Sequence, residues 1–581
     1  ERVCVSSIDE LEDYANLPKG SITDIHSHKI DHITIPSREG KGKLKRIPEI
    51  FDCWFESGSM PYAQHGYPKT TMNIDDIFPA DFIAEGLDQT RGWFYTLMVI
   101  STALFNQPAF KNVIVNGLVL AEDGFKMSKK KKNYPPVNDI LNEYGADPIR
   151  LYLINGPLVK GESIKFNKKY IRQIINKVNI VIYDCVKYLL ELINSYKSLN
   201  GNDFKSTNIF ENQDTIDNLT DKWILQYTNN FINEIHKDME KYKLHNVVSN
   251  ISNLLDKLSK WYLNLNKSRF SQNNYVCLNV FYYCIYHIMI TIAPFTPFIS
   301  EDIYQKIKKY SYKECESVHL VQMSKSIWNN DTKLLKTMDN LISIINTARK
   351  IRETKLERSK NKPVNELLIV HNNKSYLDEL QELELYIKNE INTMTIKYCT
   401  DENKYINYKL KLDDKQGRIY KRKFQSLNDH IKNNLSFTIK NINNKDNLEF
   451  EFENENYKIN YIDLVVKKEN KNTNCHSEIE NNFLVMMDEI YTDEMELIYQ
   501  GRLFSRFLKE FRKESNLVSS DMILMLYNLQ GNTIDNFDKI LKYTENNIND
   551  YLHEIKYYIN LDYEKTYTIL DNEIEIYFLK L

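Results

Sequence analysis

The residues best placed to do chemistry are lysines. Lys126-Met127-Ser128-Lys129-Lys130 runs on into Lys131 and Lys132, five ammonium groups in seven residues. Alone, such a run is a solvated charge patch or a localisation signal. What precedes it points elsewhere. Val113, Ile114, Val115, Leu118, Val119 and Leu120 read as one nearly continuous buried strand, as parallel sheets require. Glu122-Asp123-Gly124 then turns the chain, and Pro135-Pro136 forbid the loop from running straight into a helix. A cationic loop at the end of a parallel strand lies where α/β sheets bind ligands. Its ammonium groups can follow the negative charge of a polyphosphate as it moves during reaction.

Two further stretches carry chemistry. Phe82-Ile-Ala-Glu85-Gly86-Leu-Asp88-Gln89-Thr-Arg-Gly-Trp93 reads as a strand, a glycine turn and a helix continuing to Leu104. Asp88 stands where it can cap that helix. The helix N-terminus offers free N–H groups to an anion, and the acidic and amide side chains can hold a ribose. In Phe51-Asp-Cys-Trp54-Phe55-Glu-Ser-Gly58-Ser-Met60-Pro61, Gly58 and Pro61 break the chain while Trp54, Phe55 and Met60 offer apolar faces to a cleft. A tryptophan before a glycine turn is otherwise ordinary core.

Taken together, these stretches resemble a known family. Lys-Met-Ser-Lys-Lys resembles the KMSKS signature of class I aminoacyl-tRNA synthetases, with Lys130 where that pattern has serine. Trp-Phe-Glu-Ser-Gly-Ser-Met-Pro-Tyr62 and Glu-Gly-Leu-Asp-Gln-Thr-Arg-Gly-Trp-Phe94 resemble the isoleucyl members, with the valyl members as runner-up. The resemblance implies that Glu85, Gly86, Asp88, Gln89, Met127, Ser128 and Lys129 contact ATP or the adenylate. It implies catalytic roles for Lys126 and Lys129, and it places Trp54 and Trp93 on the walls of the amino-acid pocket. Two indoles do make a dry slot for a branched aliphatic side chain.

The rest of the chain must position these groups. Ile171, Ile174, Ile175, Val178 and Ile182 open a 3.6-residue period that runs to Leu190, followed by a polar break at Asn200–Asp221. Three long helices follow, through Ile224–Tyr242, Val247–Leu265 and up to Ile292, with Pro294 as the stop. Their apolar stripes are bundle core. Their rim, Trp261-Tyr-Leu-Asn-Leu-Asn-Lys-Ser-Arg269 and Ala293–Glu301, resembles the family's anticodon-binding bundle. Beyond Trp328, a helix at Met338–Thr354 ends in a basic cluster from Arg349 to Lys362, and Leu367–Val370 is a strand. By resemblance and by charge, Trp261, Arg269, Arg349 and Arg352 are the candidate tRNA contacts. Residues 400–480 are rich in Asn and Lys with few apolar anchors, which predicts mobile insertions. Strands at Phe483–Met487, Met522–Leu526, Ile559 and Ile574–Leu579, with a helix at Met495–Arg512, resemble the C-terminal appendix of the eukaryotic cytosolic-type enzyme.

Bulk composition sets bounds. The 581 residues are enough for three or four domains. Seventy-six basic and 79 acidic residues give a net charge of −3, so any RNA contact must come from local patches. Val280–Ala293 is too short to span a bilayer and reads as a core helix. The eight cysteines form no CxxC pair, and His26, His28 and His32 lack a further ligand, so no zinc is expected.

The resulting expectation is a multidomain chain. It holds the second half of a Rossmann-like α/β catalytic domain (51–166), an all-α anticodon-binding bundle (167–325) and an α+β appendix (326–581). Residues 1–50 would be the exit from an editing insertion. The chain begins at Glu1 and nowhere contains the class's His-x-Gly-His signature, so it reads as the C-terminal part of a longer enzyme, inactive alone. The resemblance implies a cytoplasmic, monomeric ligase that uses Mg-ATP, L-isoleucine and isoleucine tRNA, with no membrane partner. A non-catalytic tRNA-binding module is the rival reading.

Overall fold

The computed structural model describes residues 1–581 other than 129, 210–215, 324–330, 402–403, 438–440, 442–443, 472–474, 481–482, 518–522, 529–536, 545–551, 555–562, 570–571 and 581. The expectations for Lys129, Trp328, Met522 and Ile559 lie outside the described residues. The chain divides into two compact units, Glu1–Pro136 with Leu153–Asn167, and Val137–Tyr152 with Lys168–Leu581.

The first unit opens with helix α1 (Ile8–Ala15) and a hairpin of β1 (Thr34–Pro36) and β2 (Lys43–Lys45). Asp52 starts α2 (Cys53–Gly58) by accepting from the backbone N–H groups of Trp54 and Phe55 at 2.8 and 3.0 Å. A β-α-β crossover follows: β3 (Ala80–Gly86), α3 (Trp93–Phe105) and β4 (Phe110–Asn116), the two strands parallel with Gly86 opposite Asn116. Ile83, Phe94, Leu97 and Ala109 form the core of this unit.

The expected single strand over 113–120 is two strands. β4 ends at Asn116, and β5 (Val119–Leu120) pairs in parallel with β6 (Ile164–Lys165) instead. Gly117 makes the break: a Cβ there would stand 1.9 Å from the carbonyl oxygen of Glu162, and its N–H donates to Leu158 O at 2.8 Å. Nor is the run fully buried, since Val113 is 44% and Leu118 40% exposed.

One more expectation is corrected at the start of the second unit. Pro135-Pro136 do not keep the loop from a helix, because α4 (Val137–Tyr144) begins at the next residue. Proline is harmless ahead of a helix, where no N–H is needed. Helix α5 (Ala146–Ile154) follows.

The bundle comprises α6 (Ile180–Asn200), α7 (Leu219–Glu240), α8 (Val247–Asp256, continued by a π-turn over Lys257–Tyr262), α9 (Tyr275–Ile292) and α10 (Pro297–Ile307). α9 is long and apolar enough to cross a bilayer on length and composition alone, yet 78% of it is buried inside the bundle. A helix apolar on all faces is a core helix. Two segments distant in sequence lock here. Asp147 accepts from Ile299 N at 2.7 Å, capping α10, and Arg150 donates to the carbonyls of Phe295 and Pro294 at 3.0 and 2.9 Å.

Beyond the bundle, α11 (Thr332–Thr354) packs on a four-stranded sheet. Its order is His476–Glu480, Phe483–Met487, β7 (Val364–Val370), β8 (Thr393–Cys399), with β7 and β8 parallel. Residues 400–480 are better anchored than their composition suggests. Tyr408, Leu410 and Leu412 alternate along one strand and pack with Leu427, Ile431, Leu448 and Ile459 into a core. The anchors are sparse but fall at strand period, which a count of apolar residues does not register. A last sheet, in order Leu552–Glu554, Ile523–Asn528, Asn572–Lys580, Tyr563–Ile569, shares a core with helix Asp493–Glu514.

Candidate active site and RNA-facing groove

The parallel pair β3–β4 sets Gly86 beside Asn116, so the turn after one strand and the loop after the other leave from the same carboxyl edge. That edge is the ligand-binding side of such sheets. Past Gly86 the chain makes a 3-10 turn, Leu87–Arg91, before α3. The Asp88 carboxylate folds back over Gly86, with Oδ1 2.6 Å from where a Cβ would stand. Asp88 does not cap α3. Gln89 does, its Oε1 accepting from Trp93 N at 3.0 Å. The expected cap is off by one residue because the intervening 3-10 turn rotates residue 89 over the helix end.

Trp54 and Trp93, 39 positions apart, meet at this helix end. The Trp54 ring lies against Gly92, where an added Cβ would stand 3.0 Å from Cη2, and the Trp93 indole N–H donates to Ser57 O at 2.8 Å. α2 comes this close to α3 because residue 58 is glycine; a Cβ there would meet Ile100 Cδ1 at 2.8 Å. Trp54 remains 47% exposed.

The lysine loop leaves β5. A short turn, with Gly124 N donating to Ala121 O at 2.8 Å and Gly124 at φ +87°, brings Lys126 back to bridge Leu120. The Ser128 carbonyl then accepts from the N–H groups of Lys131 and Lys132 at 3.1 and 2.9 Å. Asn133, which motif reading passed over, joins the two ends: it accepts from Ser128 N at 2.9 Å and donates to Lys126 O at 3.3 Å. Only its loop-closing position in the sequence could have hinted at this.

In the second unit, the four expected tRNA contacts are not equivalent. Arg269 is held by the fully buried Asp221 through two hydrogen bonds of 2.8 and 2.6 Å. Trp261 is 6% exposed and covered by the Arg349 guanidinium, 5.2 Å from its ring centre. Arg349 also pairs with Glu390. Arg352 is 3% exposed, not on a solvated face. It donates to Lys360 O at 3.3 Å, while its Nε and Nη2 have no hydrogen-bond partner among the described residues. Burial, then the nearby Arg502, Arg358 and Arg349, hold its pKa down to about 10. Arg349, Arg352, Lys260, Lys360 and Trp261 line a polar groove of about 490 Å³. Lys360, Asn264 and Glu390 also line a second one, of about 420 Å³, that reaches Arg502 and Arg506. Helical spacing put the basic residues together but could not show which of them turn inward.

Residues 1–165 match the family described as tRNA synthetases class I (I, L, M and V), and residues 221–368 match the anticodon-binding domain of tRNA ligase. The chain belongs to the class I tRNA synthetases. Within that class it is similar to isoleucine–tRNA ligases of the cytoplasmic type. It is 37% identical over 570 residues to the one from Saccharomyces cerevisiae, covering 93% of this chain and 51% of that protein. With the probable one from Dictyostelium discoideum it shares 35% over 612 residues, covering 100% and 55%. The mouse protein matches at 39% over 421 residues, covering 70% and 33%. The chain thus spans about half the length of the first of these relatives.

Proposed function

We propose that the natural protein carrying these residues activates L-isoleucine with Mg-ATP and esterifies it to the 3′-terminal ribose of isoleucine tRNA, in the cytoplasm. The observation that carries this is the carboxyl end of β3, where the Gly86–Trp93 turn sets Asp88, Gln89 and Trp54 about one helix end, with the lysine loop following β5. In the activation step a carboxylate oxygen of isoleucine forms a bond to the α-phosphorus of ATP while the bond to pyrophosphate breaks. No protein nucleophile is required, so the chain's work is positioning and charge stabilisation. Glu85, Gly86, Asp88 and Gln89 are assigned to the adenylate, with Met127 and Ser128 on the phosphate side. Trp54 and Trp93 are assigned to the aliphatic side chain, and Lys126 and Lys129 to the departing pyrophosphate.

For tRNA, the reading shifts the contacts from a solvated helix face to the two grooves. Arg349, Lys260, Lys360, Arg502 and Arg506 line them beside Asp256, Glu353 and Glu390, and the excess of cations suits a phosphate backbone. Arg269 and Arg352 are assigned to holding the bundle and α11. The 581 residues alone are expected to be inactive in amino-acid activation, since His-x-Gly-His does not occur among them.

The test is amino-acid-dependent ATP–pyrophosphate exchange by the natural protein. Isoleucine should support it strongly, valine weakly and leucine not at all. Trp93→Ala should raise the isoleucine KM far more than the ATP KM. Exchange supported best by another amino acid, or a Trp93 variant in which only the ATP KM moves, would refute the assignment.

A further inference from the structure

A charge buried in a protein is ordinarily paired and hydrogen-bonded, and one that is not calls for an explanation. Arg352 is such a group. It stands on α11, 3% exposed, and lines the groove of about 490 Å³. Its Nη1 donates to the Lys360 carbonyl at 3.3 Å, which ties residue 360 beside it. Its Nε and Nη2 have no hydrogen-bond partner among the described residues. The groove's carboxylates are engaged elsewhere or wet: Asp256 pairs with Lys260 at 2.5 Å, Glu390 pairs with Arg349, and Glu353 is exposed. The nearby Arg502, Arg358 and Arg349 act against the Arg352 charge, with only Glu353 favouring it. Arg358 spends its own donors on the neutral carbonyls of Glu489 and Ile490. The exposed Lys360 side chain lines the same groove, and among the described residues no ion pair engages it.

We infer that Arg352, with Lys360 and Arg349 at the rim, forms a binding site for one phosphate group in this groove. A side chain needed only to hold α11 would not have to be charged, since burying an uncompensated cation costs more than one hydrogen bond to a carbonyl returns. An entering anion reverses that balance. The residue types fit phosphate better than a carboxylate. A guanidinium fork takes two oxygens, an ammonium takes a third as a point charge, and a carboxylate has only two to offer. Both rim groups are side chains with room to move: Lys360 is exposed, and the Arg349 side chain is 32% exposed. The phosphate can belong to an RNA backbone or be free orthophosphate. The first source rests on the tRNA reading proposed above; the second does not.

The experiment uses the natural protein and its Lys360→Gln and Arg352→Gln variants. One arm follows Tm and the heat of binding as inorganic phosphate is titrated at constant ionic strength, against chloride and acetate. The parent should bind phosphate saturably, with a rise in Tm that chloride and acetate do not give. Lys360→Gln, at an exposed position, should fold as the parent does and bind phosphate about ten-fold more weakly, the contribution of one charge-assisted hydrogen bond. Arg352→Gln should lose the phosphate effect, while its Tm in chloride stays level or rises because an unpaired buried charge has gone. The second arm measures isoleucine tRNA binding against salt. If an RNA phosphate fills the site, the slope of log K on log salt should fall by about one in either variant. A slope that holds while phosphate binding is lost identifies free phosphate as the ligand. No saturable phosphate effect in the parent, together with an unchanged slope in both variants, overturns the site. A phosphate effect of equal size in all three proteins overturns it as well. Should Arg352→Gln fail to fold, Lys360→Gln decides alone. If the natural protein binds no isoleucine tRNA, the tRNA reading falls, and the phosphate arm still decides the site.

Discussion

The Trp54 ring lies against Gly92, beside Trp93, because residue 92 has no side chain. An alanine Cβ at that position would press on Trp54 Cη2 at 3.0 Å and on Gln89 Oε1 at 2.9 Å. Both are ends of side chains, and Trp54 is half exposed, so the fold can give way by swinging the indole outward. Gly92→Ala should therefore fold normally yet raise the isoleucine KM by up to about 10²-fold, the cost of an ångström-scale misplacement. Steady-state exchange kinetics at varied isoleucine, with ATP saturating, would read this; an unchanged KM would remove Trp54 from the pocket. At this scale the sequence singled out residues by type and spacing and was poor on what holds them. Lys126 to Lys130, Glu85 and Asp88 stand out by type and spacing. Gln89 as the cap and Asn133 as the partner of Ser128 N and Lys126 O do not, because their bonds depend on turns whose path is set only once the flanking strands are paired.

Elements were legible where a face repeats. The helical stripes of Ile224 to Met239 and Val247 to Leu265 became α7 and the α8 run, since a period of 3.6 needs no partner to be seen. The division of Val113–Leu120 at Gly117 was not, because its cause, the Glu162 carbonyl, is 45 residues downstream. Asp147 as the cap of α10 was hidden for the same reason. The buried bundle also makes a prediction about pH. His287 on α9 packs between Tyr283 and Tyr286, ring centres 4.2 and 5.4 Å away, and burial lowers its pKa to about 4. The folded-state value lies below the unfolded one, so the unfolded chain binds more protons between pH 6.5 and 4. The stability held by the neutral ring is complete above pH 6.5 and is lost as pH falls toward 4, reaching a loss of about 2 kcal/mol by pH 5. Urea unfolding at pH 7.5 and 5.0 should show a smaller acid loss in His287→Gln than in the parent. Equal losses would mean the ring is protonated, or solvated, in the fold.

Over the whole molecule, net charge is −3 across 581 residues, so no global field draws in an RNA. Recognition must reside in local surfaces, and the two grooves lined by Arg349, Lys360 and Arg502 are where cations, amides and an aromatic ring converge. The sequence suggested a catalytic part, a bundle and an α+β region in that order, and the described folds are a parallel β-α-β unit, a bundle around α9 and mixed sheets. It underestimated the Asn- and Lys-rich span, where Tyr408, Leu410 and Leu412 were too widely spaced to register as core. The central claim is that one protein selects isoleucine and isoleucine tRNA together. The most direct measurement is charging by the natural protein of purified isoleucine tRNA, of the same tRNA carrying a valine anticodon, and of valine tRNA, each with labelled isoleucine. Ester should form on the first, at least ten-fold less on the second and none above background on the third. Equal charging of all three would contradict it.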